Sequence, residues 1–329
     1  MKRFVFLLFF QIFLFGCKSE PRTHPIQFYH WKSNADIGQT EIDYFKKLNS
    51  NKLYIRLFDV VQKDGRPEPT AVLLNFDSKK LNTAYIPTVY LINEVFYKLS
   101  AAENQKLAEN VFELIQKISK NFGFENFDEI QIDCDWTEST RDSYFQFLKE
   151  LKEISKKNIG STLRLHQVKF RNKTGIPPAD KVYLMCYATS SPIEEIEKNS
   201  ILDLDLLKDY LKDIDQYPIK TDVALPIYSW AIVTNHLGKK KLINGVSESD
   251  LDNENYKKLK DGFYRIEADT FLRGIYLNKG FEIKLETIPA ELLKQAREFL
   301  DSKIKSDFEI VYYHLDQMFL KRYTIDDLK

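Results

Sequence analysis

Eight strand-like runs recur along this chain, most of them followed by a helix-like or loop segment. They are "QFYHW" (27–31), "KLYIRLFDVV" (52–61), "AYIPTVYLI" (84–92), "EIQIDCDW" (129–136), "STLRLHQV" (161–168), "KVYLMCYA" (181–188), "DVALPIYSW" (222–230) and "FEIVYYHL" (308–315). Between them lie amphipathic patterns such as "AENQKLAENVFELIQKISKNF" and "YFQFLKELKEISKK"; the second carries Phe145, Leu148, Leu151 and Ile154 at helical spacing. "PAELLKQAREFL" opens with Pro289, whose ring suits a helix start. Strands that alternate with helices imply a parallel sheet, because parallel neighbours need a crossover between them. Eight such units in this length fit an α/β fold of the (β/α)8 TIM-barrel type. A doubly wound open sheet is the competing arrangement, and it lacks support because no glycine-rich phosphate turn follows the first strand. Two irregularities stand out. The second βα unit has no clean helix across 62–83, which contains "KDGRPEP". Residues 236–288 contain "FLRGIYLNKGFEIKLE", a β-hairpin-containing insert before the last helix and strand.

Charge narrows the class of partner. Lys+Arg and Asp+Glu each number 48, so the net charge is zero. A nucleic-acid binder needs a basic excess, so none is expected as a partner. The N-terminus reads as an export segment. Lys2 and Arg3 precede the apolar run "FVFLLFFQIFLF", which is shorter than a membrane span. It ends at "LFGC", residues 14–17, which resembles the bacterial lipoprotein box, with Cys17 as the lipidation site. The expected organisation is a signal segment and lipidation cysteine over 1–17, a polar tether over 18–25 and one barrel domain over 26–329. That places the protein in the cell envelope, lipid-anchored to a bacterial membrane, with the outer membrane as the expected one. Cys134 and Cys186 lie in separate apolar strands and read as buried free thiols. No cysteine–histidine cluster suggests a metal, and no motif calls for a cofactor.

In a barrel of this type the functional groups sit at the C-terminal ends of the strands. The fourth run puts two aspartates there, Asp133 and Asp135. Strand alternation places both on one face, with their Cα atoms about 6.5–7 Å apart, and turns Ile130, Ile132 and Cys134 toward the helices. Carboxylates that close repel, and one should hold its proton to a raised pH. Arg56, mid-strand in "LYIRLF", is a candidate to bind the sugar substrate, or else to neutralise the pair. Trp31, Trp136, Tyr187, Tyr228 and Trp230 sit near strand ends and are candidate sugar-binding aromatics; Tyr183, Met185 and Tyr187 can equally fill the barrel. His166, placed on one face with Arg164, and His314 read as hydrogen-bonded interior histidines.

These stretches carry a resemblance. "IQIDCDW", "LMCYA" two strands later and "PIYSW" on the next strand resemble the TIM-barrel glycoside hydrolases of the chitinase type. They also resemble bacterial lipoproteins of the glycosidase-type barrel superfamily with "QxDxD" on the same strand. The chitinase pattern has "DxxDxDxE" on the fourth strand and "MxY" on the sixth. Asp133 and Asp135 match its last two aspartates, and Met185 and Tyr187 match "MxY". The resemblance implies a glycan as substrate or ligand. The match is incomplete, since Ile130 stands at the first aspartate and Thr137 at the acid glutamate, with Glu138 one residue further. Three alternatives follow: Asp135 is the general acid with Asp133 as its electrostatic partner, Glu138 reaches in from the loop, or the barrel binds glycan without cleaving it.

Overall fold

The computed structural model describes residues 22–329. The expected signal segment, the expected lipidation site Cys17 and the start of the expected tether lie outside the described residues. In chain order the first strands are β1 (Ile26–His30), β2 (Lys52–Lys63), β3 (Arg66–Thr70), β4 (Ala84–Leu91), β5 (Glu129–Asp133), β6 (Asn158–Arg164), β7 (Lys181–Met185) and β8 (Thr221–Pro226). An insert follows, with β9 (Trp230–Thr234), β10 (Lys240–Asn244), β11 (Tyr256–Lys260), β12 (Phe263–Ile266), β13 (Thr270–Leu272), β14 (Ile275–Leu277) and β15 (Glu282–Glu286). The last strand is β16 (Ile310–Tyr313). Every strand of the main sheet except β3 runs parallel to its neighbours, in the order β1-β2-β4-β5-β6-β7-β8-β16. The ring closes because β1 pairs both with β2, at Phe28 and Leu53, and with β16, at Ile26 and Ile310. This is a closed (β/α)8 barrel, as the alternation of strands and helices predicts.

The helices are α1 (Gln39–Lys47), α2 (Ala101–Asn121), α3 (Arg141–Ser155), α4 (Leu165–Lys169), α5 (Arg171–Thr174), α6 (Leu204–Tyr210), α7 (Ala290–Lys303) and α8 (Gln317–Leu320). The longest, α2, begins with a capping box. The Ser100 hydroxyl accepts from the Glu103 amide at 3.3 Å, and the Glu103 carboxylate accepts from the Ser100 amide at 2.8 Å. Helices pack on the outward faces of the strands, and Ile130, Ile132, Cys134 and Cys186 are fully buried there. Both cysteines are free thiols. The bottom of the barrel is closed by ion pairs, Lys181 to Asp222 at 2.9 Å and Lys52 to Glu309 at 2.5 Å.

The two irregular regions have specific causes. After β2 the chain turns back through Asp64 and Gly65, at φ 48° and 76°, and returns as the antiparallel β3. Positive φ at both central residues is what a two-residue hairpin turn requires. The second βα unit, in which the sequence shows no clean helix, thus carries a hairpin after β2. The insert is larger than its sequence pattern suggests. It starts at Trp230, holds a five-stranded antiparallel sheet in the order β10-β9-β15-β12-β11, and adds the β13–β14 hairpin. Its own core includes Val233, Ile243, Tyr264, Ile266 and Ile283. The seventh run, expected as one strand to residue 230, is divided at Pro226, so Trp230 belongs to the insert sheet.

Candidate functional site

The C-terminal ends of the barrel strands surround a cavity of about 420 Å³. Asp133 and Asp135 both line it, so the two-residue period sends both carboxylates to the same side. β5 ends at Asp133, and Asp135 lies in the loop beyond. Thr162 of β6 fixes this exit, accepting from the Cys134 amide at 3.2 Å and donating to Asp133 Oδ1 at 2.7 Å. Asp133 is partly buried and its second oxygen has no protein donor among the described residues. Burial pushes its carboxyl up to about 7; the negative charge of Asp135 adds to the rise, and the Thr162 hydrogen bond and the Arg164 guanidinium oppose it. Asp133 is thus the group that keeps a proton near neutrality, in the place where the sequence pattern put Asp135.

The cation of the site is Arg164, at the end of β6. Its Nε lies 3.5 Å from Asp135 Oδ1, and the Asp135 side chain remains 49% exposed. Gln167 holds the two strand ends together. Its Oε1 accepts from the Arg164 amide at 2.7 Å, and its Nε2 donates to the Trp136 carbonyl at 2.9 Å. Tyr90 of β4 stands beside the aspartates, and its hydroxyl is pushed up to about 12 by burial and by the charges of Asp135 and Asp133.

Aromatic rings form much of the remaining wall. Trp31 and Tyr187 flank Tyr313, each with its ring centroid 5.6 Å away. Tyr228 meets Tyr187 edge-on at 5.9 Å and Trp230 at 5.3 Å. Trp230 is held from behind, where its Nε1–H donates to Glu286 Oε2 at 2.7 Å. Glu286 is itself buried, accepts from the Ser200 hydroxyl at 2.5 Å and pairs with Lys284 at 2.7 Å. The insert therefore supplies one wall of the cavity, and Asn244 at the end of β10 adds an amide to it. Among the described residues, no group of three or more His, Cys, Asp or Glu side chains is arranged to hold a metal ion.

The structure gathers Trp31, Asp133, Asp135, Tyr187, Tyr228 and Trp230 at this one cavity. It places three other candidates elsewhere. Trp136 is fully buried, stacked on Tyr144 at 5.1 Å with its Nε1–H on the Thr174 carbonyl at 2.9 Å. One residue past Asp135, it points to the helix side of the barrel and is a core residue. Arg56 is not the counter-ion of the aspartate pair. It chelates Asp59 through both carboxylate oxygens and donates to the Trp31 carbonyl at 3.0 Å, so it shapes the loop that carries Trp31. Glu138 is exposed in the turn before α3 and does not line the cavity. His166 is also misplaced by the strand pattern. β6 stops at Arg164, so His166 is an exposed residue of α4. His314 is interior and lines the cavity, but its Nδ1 has no hydrogen-bond partner. Sequence reasoning missed Tyr90, Asn244, Tyr313 and the part played by Arg164. The signal for Arg164 was its position two residues after Thr162, at the end of a strand.

No protein-family model matches the chain, and no curated protein matches it in sequence. Solved structures do match in fold. The spore cortex-lytic enzyme SleL of Bacillus cereus superposes with a TM-score of 0.59 at 15% identity, covering 94% of this chain and 74% of that one. A chitinase from Chromobacterium violaceum gives 0.59 at 10% identity, covering 93% and 99%. The C-terminal domain of a putative chitinase from Desulfitobacterium hafniense gives 0.58 at 12% identity, covering 93% and 97%. At these identities the likeness establishes the fold alone, a (β/α)8 barrel.

Proposed function

We propose that this protein binds a glycan chain in the aromatic cavity and hydrolyses it with the Asp133–Asp135 pair. The observation that carries the reading is the Asp133–Asp135 pair on the wall of a cavity lined with Trp and Tyr rings, where burial and the neighbouring Asp135 push the Asp133 carboxyl up to about 7. In the step we propose, Asp133 gives its proton to the glycosidic oxygen as the bond from that oxygen to the anomeric carbon breaks. The bonding electron pair leaves with the oxygen. Asp135 stabilises the positive charge on the sugar, a water adds to the anomeric carbon, and its proton returns to the carboxylate pair. Trp31 and Trp230 provide flat apolar faces for sugar rings. That one solved neighbour, a class V chitinase from Nicotiana tobaccum, is described in complex with NAG4 supports a sugar chain as the ligand class.

A second reading has its own support. Thr137 occupies the position of the acid in the chitinase pattern, and Glu138 faces solvent. On that reading the barrel binds glycan without cleaving it. We also propose that the chain is tethered to a membrane through a lipid on Cys17, in keeping with "LFGC", and that residues 26–329 form one barrel domain. The experiment is to incubate the soluble fragment from Lys18 onward with a panel of bacterial, plant and host glycans. New reducing ends and quenching of tryptophan fluorescence are followed together, beside Asp133→Asn and Asp135→Asn. Cleavage that both substitutions abolish supports the hydrolase. Quenching without cleavage supports the binding protein, and neither signal on any glycan contradicts both readings.

A further inference from the structure

The cavity contains a polar group that the proposed cleavage does not use. His314 follows β16 and lines the cavity, yet it is only 8% exposed. Phe319 and Tyr313 pack edge-on against its imidazole, at 5.2 and 5.1 Å. Its Nδ1 is enclosed with no hydrogen-bond partner. Nε2 is therefore the ring nitrogen left to face the cavity. The ring must choose one tautomer. An enclosed N–H without an acceptor is among the rarest defects in folded proteins, whereas an under-satisfied lone pair is tolerated more often. The proton consequently sits on Nε2, and the cavity gains a donor.

The charged groups around the ring keep it in that form. His30 is buried nearby, and Asp316 is held by Lys32 at 2.5 Å and by the Met318 amide at 3.0 Å. Burial pushes His314 down to about 3; Asp316 and, least of all, the Leu315 backbone oppose the fall, and His30 and Lys32 add to it. His30 itself is pushed down to about 4 by burial and then by Lys32. The imidazole is neutral across the physiological range. The other charges facing the cavity nearly cancel, because Asp135 is paired with Arg164 and Asp133 holds a proton near neutrality. An anionic sugar would meet the Asp135 carboxylate with the one cation, Arg164, already engaged by it. A neutral sugar meets acceptors on one wall and a fixed donor on the other.

We propose that His314 is the specificity contact of this cavity, donating from Nε2–H to a hydroxyl or ring oxygen of a neutral sugar. This rests on the glycan reading above and names the substrate class within it. The test uses the soluble fragment from Lys18, labelled with 15N at its histidines and assigned by His314→Gln. Long-range 15N–1H correlation spectra are taken from pH 5 to 8. They should show the Nε2–H tautomer with no titration; an Nδ1–H tautomer, or a midpoint inside that range, overturns the proposal. The same sample is then titrated with chitotetraose, cellotetraose, maltotetraose and the acidic tetragalacturonate, with tryptophan quenching followed in parallel. A neutral tetrasaccharide should quench and move the His314 Nε2 resonance. His314→Phe should weaken that binding about tenfold, as loss of one buried donor implies, and His314→Gln should recover part of it. Quenching by a neutral sugar with an unmoved Nε2 and unchanged affinity in His314→Phe overturns the role of His314 and leaves the glycan reading standing. Binding of the acidic sugar alone overturns the neutral class. Quenching by none of the four counts against this proposal and the glycan reading together.

Discussion

Replacing Asp133 by Asn should stabilise the fold in a pH-dependent way. The Asp133 carboxyl has an ordinary value of 3.8 and is pushed up to about 7 in the folded protein, chiefly by burial and then by Asp135. The folded state thus holds this proton more tightly than the unfolded chain does. Its contribution to stability is fully present below pH 3.8 and is lost progressively as pH rises through about 7. The interval is about three units, and each unit is worth about 1.36 kcal/mol, which gives about 4 kcal/mol at pH 8 as an upper value. Asn keeps the shape, and its carbonyl can accept the Thr162 hydroxyl now donated to Asp133 at 2.7 Å. Urea unfolding at pH 4, 6 and 8 reads the effect. Asp133→Asn should match the wild type at pH 4 and exceed it by a growing margin, reaching about 2–4 kcal/mol at pH 8. Equal stability at all three values, or a loss at pH 8, would refute the claim that Asp133 is a desolvated carboxyl held beside a like charge.

Other substitutions separate the site from its surroundings. Arg164→Gln removes a cation that lowers Asp133, so the Asp133 midpoint should move above about 7 in a 13C carboxyl titration, and the alkaline limb of any cleavage profile should move up with it. Trp136→Ala should cost about 3–5 kcal/mol in denaturant unfolding, through a large core void and an unpaired Thr174 carbonyl, without a selective loss of glycan binding in the folded fraction. Glu138→Gln should leave the rate of reducing-end release unchanged, because the side chain is exposed outside the cavity. Cys17→Ser should shift the full-length protein from the detergent phase to the aqueous phase in a partition assay if Cys17 carries the lipid anchor.

The barrel was readable because each of its eight strands is a short apolar run separated by helical or loop spacing, and that pattern fixes a parallel sheet. What escaped was local. The β2–β3 hairpin depends on two positive-φ residues, Asp64 and Gly65, inside a stretch with no apolar alternation to mark β3, "RPEPT". The insert sheet was concealed for a similar reason, since β11, "YKKLK", buries only Tyr256 and reads as a solvated loop. Within the site, period-two alternation was enough to put Asp133 and Asp135 on one wall. Trp136 was misassigned although the same alternation, carried one residue past Asp135, turns it to the helix side with Cys134, and His166 was misassigned because β6 ends at Arg164 and α4 begins at Leu165. The partner of the aspartates could not be read from proximity in sequence. Arg56 and Arg164 both lie within strand-like runs of the sequence, and only the three-dimensional arrangement shows that Arg56 is taken by Asp59 while Arg164 reaches Asp135. Tyr90 and Tyr313 resembled ordinary core tyrosines, because nothing in their own strands separates a ring that fills a barrel from one that lines its mouth.

The most direct test of the central claim is cleavage of the glycan panel in water enriched with 18O, read by mass spectrometry of the products. The account predicts one 18O at each new reducing end with the wild-type soluble fragment, and none with Asp133→Asn or Asp135→Asn. Label incorporated equally by all three proteins would place the chemistry away from this aspartate pair and contradict the account.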